Sequence, residues 1–179
     1  MLAAELGAAL GEALDLQVLN GTGGGTAFDG LLNVAGATAV TYTDASPTAA
    51  EAFAKIGQLC AETADAAGQP VNALLLHPRR LVWLTTKLGY RPEWPAPPFS
   101  VPAMPATLGA GTNEDAIIAL VRDDVQLYLG PLEVRVWPDV GSTTGMVRTQ
   151  AFQFGALASA RQPAAIGRLT GTGLAGVVW

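Results

Sequence analysis

The sequence predicts an α+β fold on three observations. Residues 2–19 and 48–67 carry apolar side chains at helical spacing. Residues 73–77, 116–121, 125–129 and 132–137 are short apolar runs or alternate apolar with polar residues, the mark of strands. A glycine cluster, Gly21 to Gly25, separates the first helix from everything that follows, and glycines so close together hold neither helix nor strand without a large entropic loss.

In the first helix Leu2, Leu6, Leu10, Leu14 and Val18 recur every four residues, while Glu5, Glu12 and Asp15 occupy another face. Asn20-Gly21 stops it, because both residues tolerate the left-handed conformation of a helix C-cap. Leu19 to Asn33 reads as a hinge between two parts of the chain. It is not a Walker loop, which ends in Gly-Lys-Ser/Thr, and not a dinucleotide fingerprint, which needs a strand before its glycines and a helix after them.

Residues 34–42 are small and β-branched and predict a short strand. Ser46 is the expected cap of the second helix and Pro47 its first residue. That helix, 48–67, shares Ala52, Ile56, Leu59, Cys60 and Thr63 on one face and ends at Gly68. Cys60 reads as a buried apolar group and not a reactive thiol. Residues 73–77 predict a buried strand, and Pro78 opens a third helix with Leu81, Leu84, Thr85 and Leu88 inward.

His77 is the only histidine. No nucleophile or orienting carboxylate lies beside it, so it reads as a cap or a backbone-bonded ring. Arg79 and Arg80 stand in the first turn of a helix, an unfavourable place for cations. They are expected to point outward as a solvated pair, or to meet an acid, with a salt bridge to a neighbouring subunit as the sharper form of that expectation. The proline-rich stretch 90–105 predicts an extended loop anchored by Trp94 and Phe99, its Pro95, Pro97 and Pro98 favouring polyproline II. Asn113-Glu114-Asp115 is a poor metal site, since adjacent residues diverge where oxygen ligands normally alternate. Residues 116–121 predict a buried strand, and Arg122 to Asp124 a charged turn. Strands 125–129 and 132–137, joined by Gly130-Pro131, predict a hairpin with one buried face. After a turn at Gly141 to Gly145 comes a long alternating segment, 146–160, then a last short strand at 164–169. The end, 171–179, reads as a Gly-rich mobile tail.

The totals fit one domain, or a domain with a small lobe: 179 residues, half of them apolar, with a net charge of −5. No run approaches the ~20 apolar residues that span a bilayer. Acidic residues in 1–18 and the lack of a basic start argue against a signal peptide. One cysteine excludes an intramolecular disulfide and a cysteine cluster, in keeping with a reducing cytoplasm. Ten basic residues with a single adjacent pair are too few for tight nucleic-acid binding.

A helix ending in LNGTG and followed by DGLLN, then LLLHPRR, GTNEDAIIAL, VQLYLGPLEVRV and ARQPAAIGRL in that order, resembles the HK97-type tailed-phage major capsid proteins. The likeness covers most of residues 10–170. It implies an HK97-like α+β capsid fold made of an A-domain, residues 34–148, and a partial P-domain, residues 1–33 and 149–179, with the C-terminal part of the spine helix. The strand returning near 149–160 would pair beneath that helix. The chain begins inside or just ahead of the spine helix, so it is expected to lack the N-terminal arm and E-loop, and to form monomers or capsomer-like rings in place of closed shells. Counted back from Arg161, the positions of the family's cross-linking asparagine and glutamate are Gly145 and Phe152, so no self-cross-linking is expected.

The resemblance implies a structural subunit of a phage or prophage capsid, assembled in the host cytoplasm and located in the virion. Its partners would be copies of itself, with no specific nucleic-acid sequence, membrane or small-molecule substrate. No catalytic, cofactor or metal site is expected. An encapsulin-type nanocompartment shell is the near alternative. A small nucleotide-binding enzyme using Gly21 to Gly25 with Asp29, or His77 with Arg79 and Arg80, is a more distant one. A module presenting Pro95 to Pro98 to a partner is the third.

Overall fold

The computed structural model describes residues 2–25, 27–89, 92–137 and 148–177, with side chains from residue 4 onward. The expected turn at Gly141 to Gly145, the start of the proline-rich stretch at Tyr90-Arg91, and Val178-Trp179 lie outside the described residues. The fold is α+β. Its helices are α1 (Leu2–Asn20), α2 (Ala49–Ala67) and α3 (Pro78–Lys87). Its strands are β1 (Thr38–Thr41), β2 (Ala73–Leu76), β3 (Pro98–Ser100), β4 (Ile117–Leu120), β5 (Gln126–Leu129), β6 (Glu133–Trp137), β7 (Arg148–Phe152), β8 (Gly155–Ala158) and β9 (Ile166–Thr170).

Five strands form one sheet in the order β1-β9-β4-β2-β3. β1 runs parallel to β9 and β3 parallel to β2, while β4 is antiparallel to both of its neighbours. The sheet is buried on both faces, which is why β4 is apolar throughout instead of alternating. Ile117 and Ala119 face one core with Ile56, Leu59, Leu84 and Leu169. Ala116, Ile118 and Leu120 face the other, with Leu19, Leu31, Leu32 and Ile166.

The face expected of α2 is the one it buries, from Ala52 through Thr63, and Gly68 caps it in the left-handed region at φ 68°. Its start lies later than the sequence suggests. Thr48, not Ser46, is the N-cap: its hydroxyl accepts from Glu51 N, and the Glu51 carboxylate accepts from Thr48 N at 3.0 Å. This reciprocal pair satisfies two free amides where Ser46 would satisfy one, and it leaves Pro47 ahead of the helix.

The expected hairpin is not formed. β5 pairs with β8 and β6 with β7, both antiparallel, and β5 and β6 do not pair with each other. Gly130-Pro131 therefore bends one strand instead of reversing it. Pairing resumes beyond the bend one residue out of register, three residues (130–132) standing opposite two (153–154), with Gly130 N to Phe154 O at 2.8 Å and Gln153 Nε2 to Gly130 O at 2.8 Å across it. Residues 126–137 and 148–158 thus make one long two-stranded ribbon. The face expected to be buried is open, and all of β5 and β6 is exposed. The partner strands are open as well: Phe154 is 73% exposed.

Three more placements differ from expectation. Pro98–Ser100 is an edge strand, not loop, and Phe99 is exposed with the Arg122 guanidinium over its ring at 5.9 Å. A proline-led strand fits an edge because the missing N–H faces outward. Trp94 does anchor its loop, edge-on to Phe53 with ring centroids 5.2 Å apart. β9, read with the returning segment, sits inside the five-stranded sheet between β1 and β4. The C-terminal stretch is ordered through its short 3-10 helix, Thr172–Leu174, with Leu174 in the core and Gly173 N bonded to Tyr42 O at 2.9 Å.

Candidate functional site: the helix and ribbon platform

Two parts of the molecule stand out from the sheet lobe: helix α1 and the ribbon. α1 is about 28 Å long at 1.5 Å per residue, and it packs on β7. Leu6, Leu10, Leu14 and Val18, from the stripe read in the sequence, are only half-buried, and from residue 4 onward Leu19 is the first buried residue of the helix. Between α1 and the ribbon run two shallow grooves of about 270 Å³ each. One is lined by Leu6, Gly7, Leu132, Val134, Val136 and Ala151, the other by Leu10, Leu14, Gln17, Phe28, Leu129 and Gly155. Tyr128, Val136 and Phe154 of the ribbon are 58, 60 and 73% exposed. Water contact with apolar area of this kind costs free energy roughly in proportion to the area, and such patches mark interaction surfaces.

The glycine stretch joins this platform to the lobe. The last four carbonyls of a helix have no partner within it, and here each finds one. Gln17 O accepts from Gly21 N at 2.9 Å, Val18 O from Leu31 N at 2.8 Å, and Leu19 O from Leu32 N at 3.0 Å. Asn20 O accepts from Asn33 Nδ2 at 3.3 Å, and the same amide donates to Gly21 O at 2.8 Å. Leu31 and Leu32 then enter the core under β4 and β9, and Arg168 of β9 donates to Leu32 O at 2.6 Å. The DGLLN motif therefore caps α1 with the chain's own backbone. A side chain at Gly30 would run into the backbone of Gly21, Asn20 and Leu19, the last two at 2.7 and 2.8 Å. That approach is why glycine stands there.

The same geometry disposes of a phosphate cradle. α1 presents its C-terminal, partially negative end to the glycines, and the next α-helix begins only at Ala49. The backbone amides that would hold an anion are bonded to α1 carbonyls or spread along an exposed turn.

The remaining candidates are structural in their contacts. His77 is the N-cap of α3, its Nδ1 accepting from Arg79 N at 3.2 Å. Burial pushes its pKa below the ordinary value, against the raising effect of Asp115 and with the lowering effect of Arg79. Arg79 and Arg80 neither sit free in solvent nor wait for another subunit. Both bind Asp115, which is fully buried: Arg79 through Oδ1, with Nε at 2.8 Å, and Arg80 through Oδ2 at 2.9 Å. Arg80 also donates to the carbonyls of Leu174 and Ala175 at 2.7 and 2.8 Å, and Arg79 to Ala106 O at 2.9 Å. The buried face of α3 is correspondingly turned, with Arg80, Trp83 and Leu84 inside and Leu81, Thr85 and Leu88 half-buried. The sequence signal for this was present but unread: an acid at the head of an apolar strand and a charge pair at the head of an apolar helix. Cys60 is buried, and burial alone raises its pKa to about 11, so it is held as the thiol. Among the described residues no three His, Cys, Asp or Glu side chains form a metal-binding group, and no helix is long and apolar enough to cross a membrane.

The sequence of residues 1–88 matches the phage capsid family. No curated protein matches the sequence. Among solved structures, the chain superposes on the SrpI encapsulin from Synechococcus elongatus with a TM-score of 0.62 and 17% identity, covering 96% of this chain and 65% of that one. It superposes on a chain of Mycobacterium phage Che8 with a TM-score of 0.61 and 13% identity, covering 95% and 61%. The fold is the HK97-type capsid fold. Residues 1–88 match that family in sequence, and almost the whole chain shares the HK97 architecture. The chain spans slightly under two thirds of the length of these neighbours. At the junction, the HK97-type reading made from LNGTG and DGLLN now has a structural basis: those residues terminate the long helix and fix it to the lobe.

Proposed function

We propose that this chain is a structural subunit of a phage or prophage capsid, and that its work is to bind copies of itself. The observation that carries the reading is the helix and ribbon platform, an apolar surface outside the core of a chain with an HK97-type fold. In this reading the five-stranded sheet with α2 and α3 corresponds to the A-domain. α1 and the ribbon, residues 126–158, correspond to the P-domain, with the junction at Leu19 to Asn33 between them. The A-domain then takes in β9 and the C-terminal 3-10 helix, which moves the boundary expected from sequence.

The chemistry of the described residues supports a structural role over an enzymatic one. His77, Arg79, Arg80 and Asp115 spend their hydrogen bonds on capping and on backbone carbonyls, and Cys60 is shielded. The phage form is favoured over an encapsulin-type shell by the family match of residues 1–88. Self-association is read directly from the mass of the purified protein in solution and from negative-stain images. Of the two forms expected from sequence, monomer or ring, the open platform favours the ring, so particles many times the 18.4 kDa chain mass, with ring outlines, are expected. A monomer at high concentration, or a stoichiometrically bound metabolite, would overturn the reading.

A further inference from the structure

Both edges of the ribbon lack a third strand among the described residues. β6 pairs only with β7, and every residue of β6 is exposed. An open edge of this kind is a template for another strand, and a two-stranded ribbon is marginally stable by itself. From this edge we infer that β6 pairs antiparallel with β6 of a second copy across a two-fold axis, joining two ribbons into one four-stranded sheet. This rests on the capsid reading above and names one of its contacts.

The sequence of β6 selects the register. A two-fold axis normal to the sheet keeps each residue on its own face. Opposed residues must therefore be an even number apart, and the axis passes through a residue. An axis at Glu133 sets that glutamate against its own copy, and an axis at Arg135 sets arginine against arginine. Like charges directly opposite destabilise a pair. An axis at Val134 sets Glu133 against the second copy's Arg135 and Arg135 against the second copy's Glu133. On the other face it sets Val134 against Val134 and Leu132 against Val136. Those three apolar residues are 51, 57 and 60% exposed in the single chain. The charges already lie on one face of one strand, Arg135 Nη2 to Glu133 at 3.1 Å and both half exposed, so the second copy extends an existing pair. Among the axes through Glu133, Val134 and Arg135, this one alone brings charge and apolar area into agreement, and it is self-complementary in the way a two-fold interface requires.

The test uses the whole chain. With a short bis-maleimide, Val134→Cys is expected to cross-link to a dimer, while the parent chain, whose only cysteine is buried, does not. Glu133→Arg is expected to weaken self-association about tenfold, because it places two arginine pairs across the axis, and Arg135→Glu to do the same with glutamates. The double exchange Glu133→Arg with Arg135→Glu is expected to restore it. All of these positions are on the surface, so folding is preserved and far-UV circular dichroism checks it. Rings that form without the Val134 cross-link, or that ignore the charge exchanges, sink the strand pairing and leave the capsid reading standing. A Val134 dimer that goes no further supports the pairing and counts against the capsid reading. Capture of a different protein strand at this edge, with no dimer, overturns the pairing.

Discussion

Asp115, at the head of β4, ties α3 to the rest of the lobe. It is fully buried, receives both arginines of α3, and through Arg80 ties that helix to the carbonyls of Leu174 and Ala175. Breaking a buried ion pair by removing one partner leaves the other charge uncompensated. Asp115→Ala is therefore expected to cost about 3–5 kcal/mol in urea denaturation; a loss below 1 kcal/mol would mean that water already reaches the arginines. His77 gives a pH signature. Its folded pKa lies below the ordinary 6.5 because burial disfavours the charged ring, so the unfolded chain binds more protons near pH 6. The stability tied to His77 is present above about pH 6.5 and is lost as pH falls through the depressed folded value. Protonation also removes the acceptor that caps α3. The melting temperature is expected to fall from pH 7 to pH 5, and His77→Asn, which still caps but does not titrate, should lack that part of the slope. An identical slope in both proteins would assign the acid sensitivity to other groups.

At the level of elements, α2 and the α1 junction show what the sequence revealed and what it hid. The apolar face of α2 and its glycine stop were legible because the helical period and a left-handed cap are local properties. Its true start was not, because Ser46, Pro47 and Thr48 are all plausible starters and the choice depends on Glu51 three residues beyond. The strands β5 and β6 alternate as a hairpin would, and alternation says which face is apolar but not which strand is the partner. Gly130-Pro131 looks like a reversal and is a bend. Burial of Arg80 was hidden for a related reason: its partner lies 35 residues away, beyond any local pattern. Thr48→Ala is expected to destabilise the protein by about 1 kcal/mol, as loss of an N-cap does. Gly30→Ala is expected to do more specific harm. Amides of α1 should exchange with deuterium sooner while those of β4 keep their protection, because the substitution pries the helix end from the lobe without touching the sheet. Equal loss of protection in both would show that junction and lobe unfold together.

On the scale of the whole molecule, the division of labour is between a lobe that completes its own core and a platform that does not. The lobe buries β4 and the apolar face of α2, and pairs Arg79 and Arg80 with Asp115 inside itself. The platform leaves Tyr128, Val136 and Phe154 in water and leaves α1 half-covered. A chain that folds this way gains stability from copies of itself, so its melting temperature should rise with protein concentration. The most direct test of the central claim is the solution mass across a hundredfold concentration range. The account expects assemblies that grow with concentration and are weakened by Tyr128→Ser with Phe154→Ser. An 18.4 kDa monomer at every concentration would contradict it.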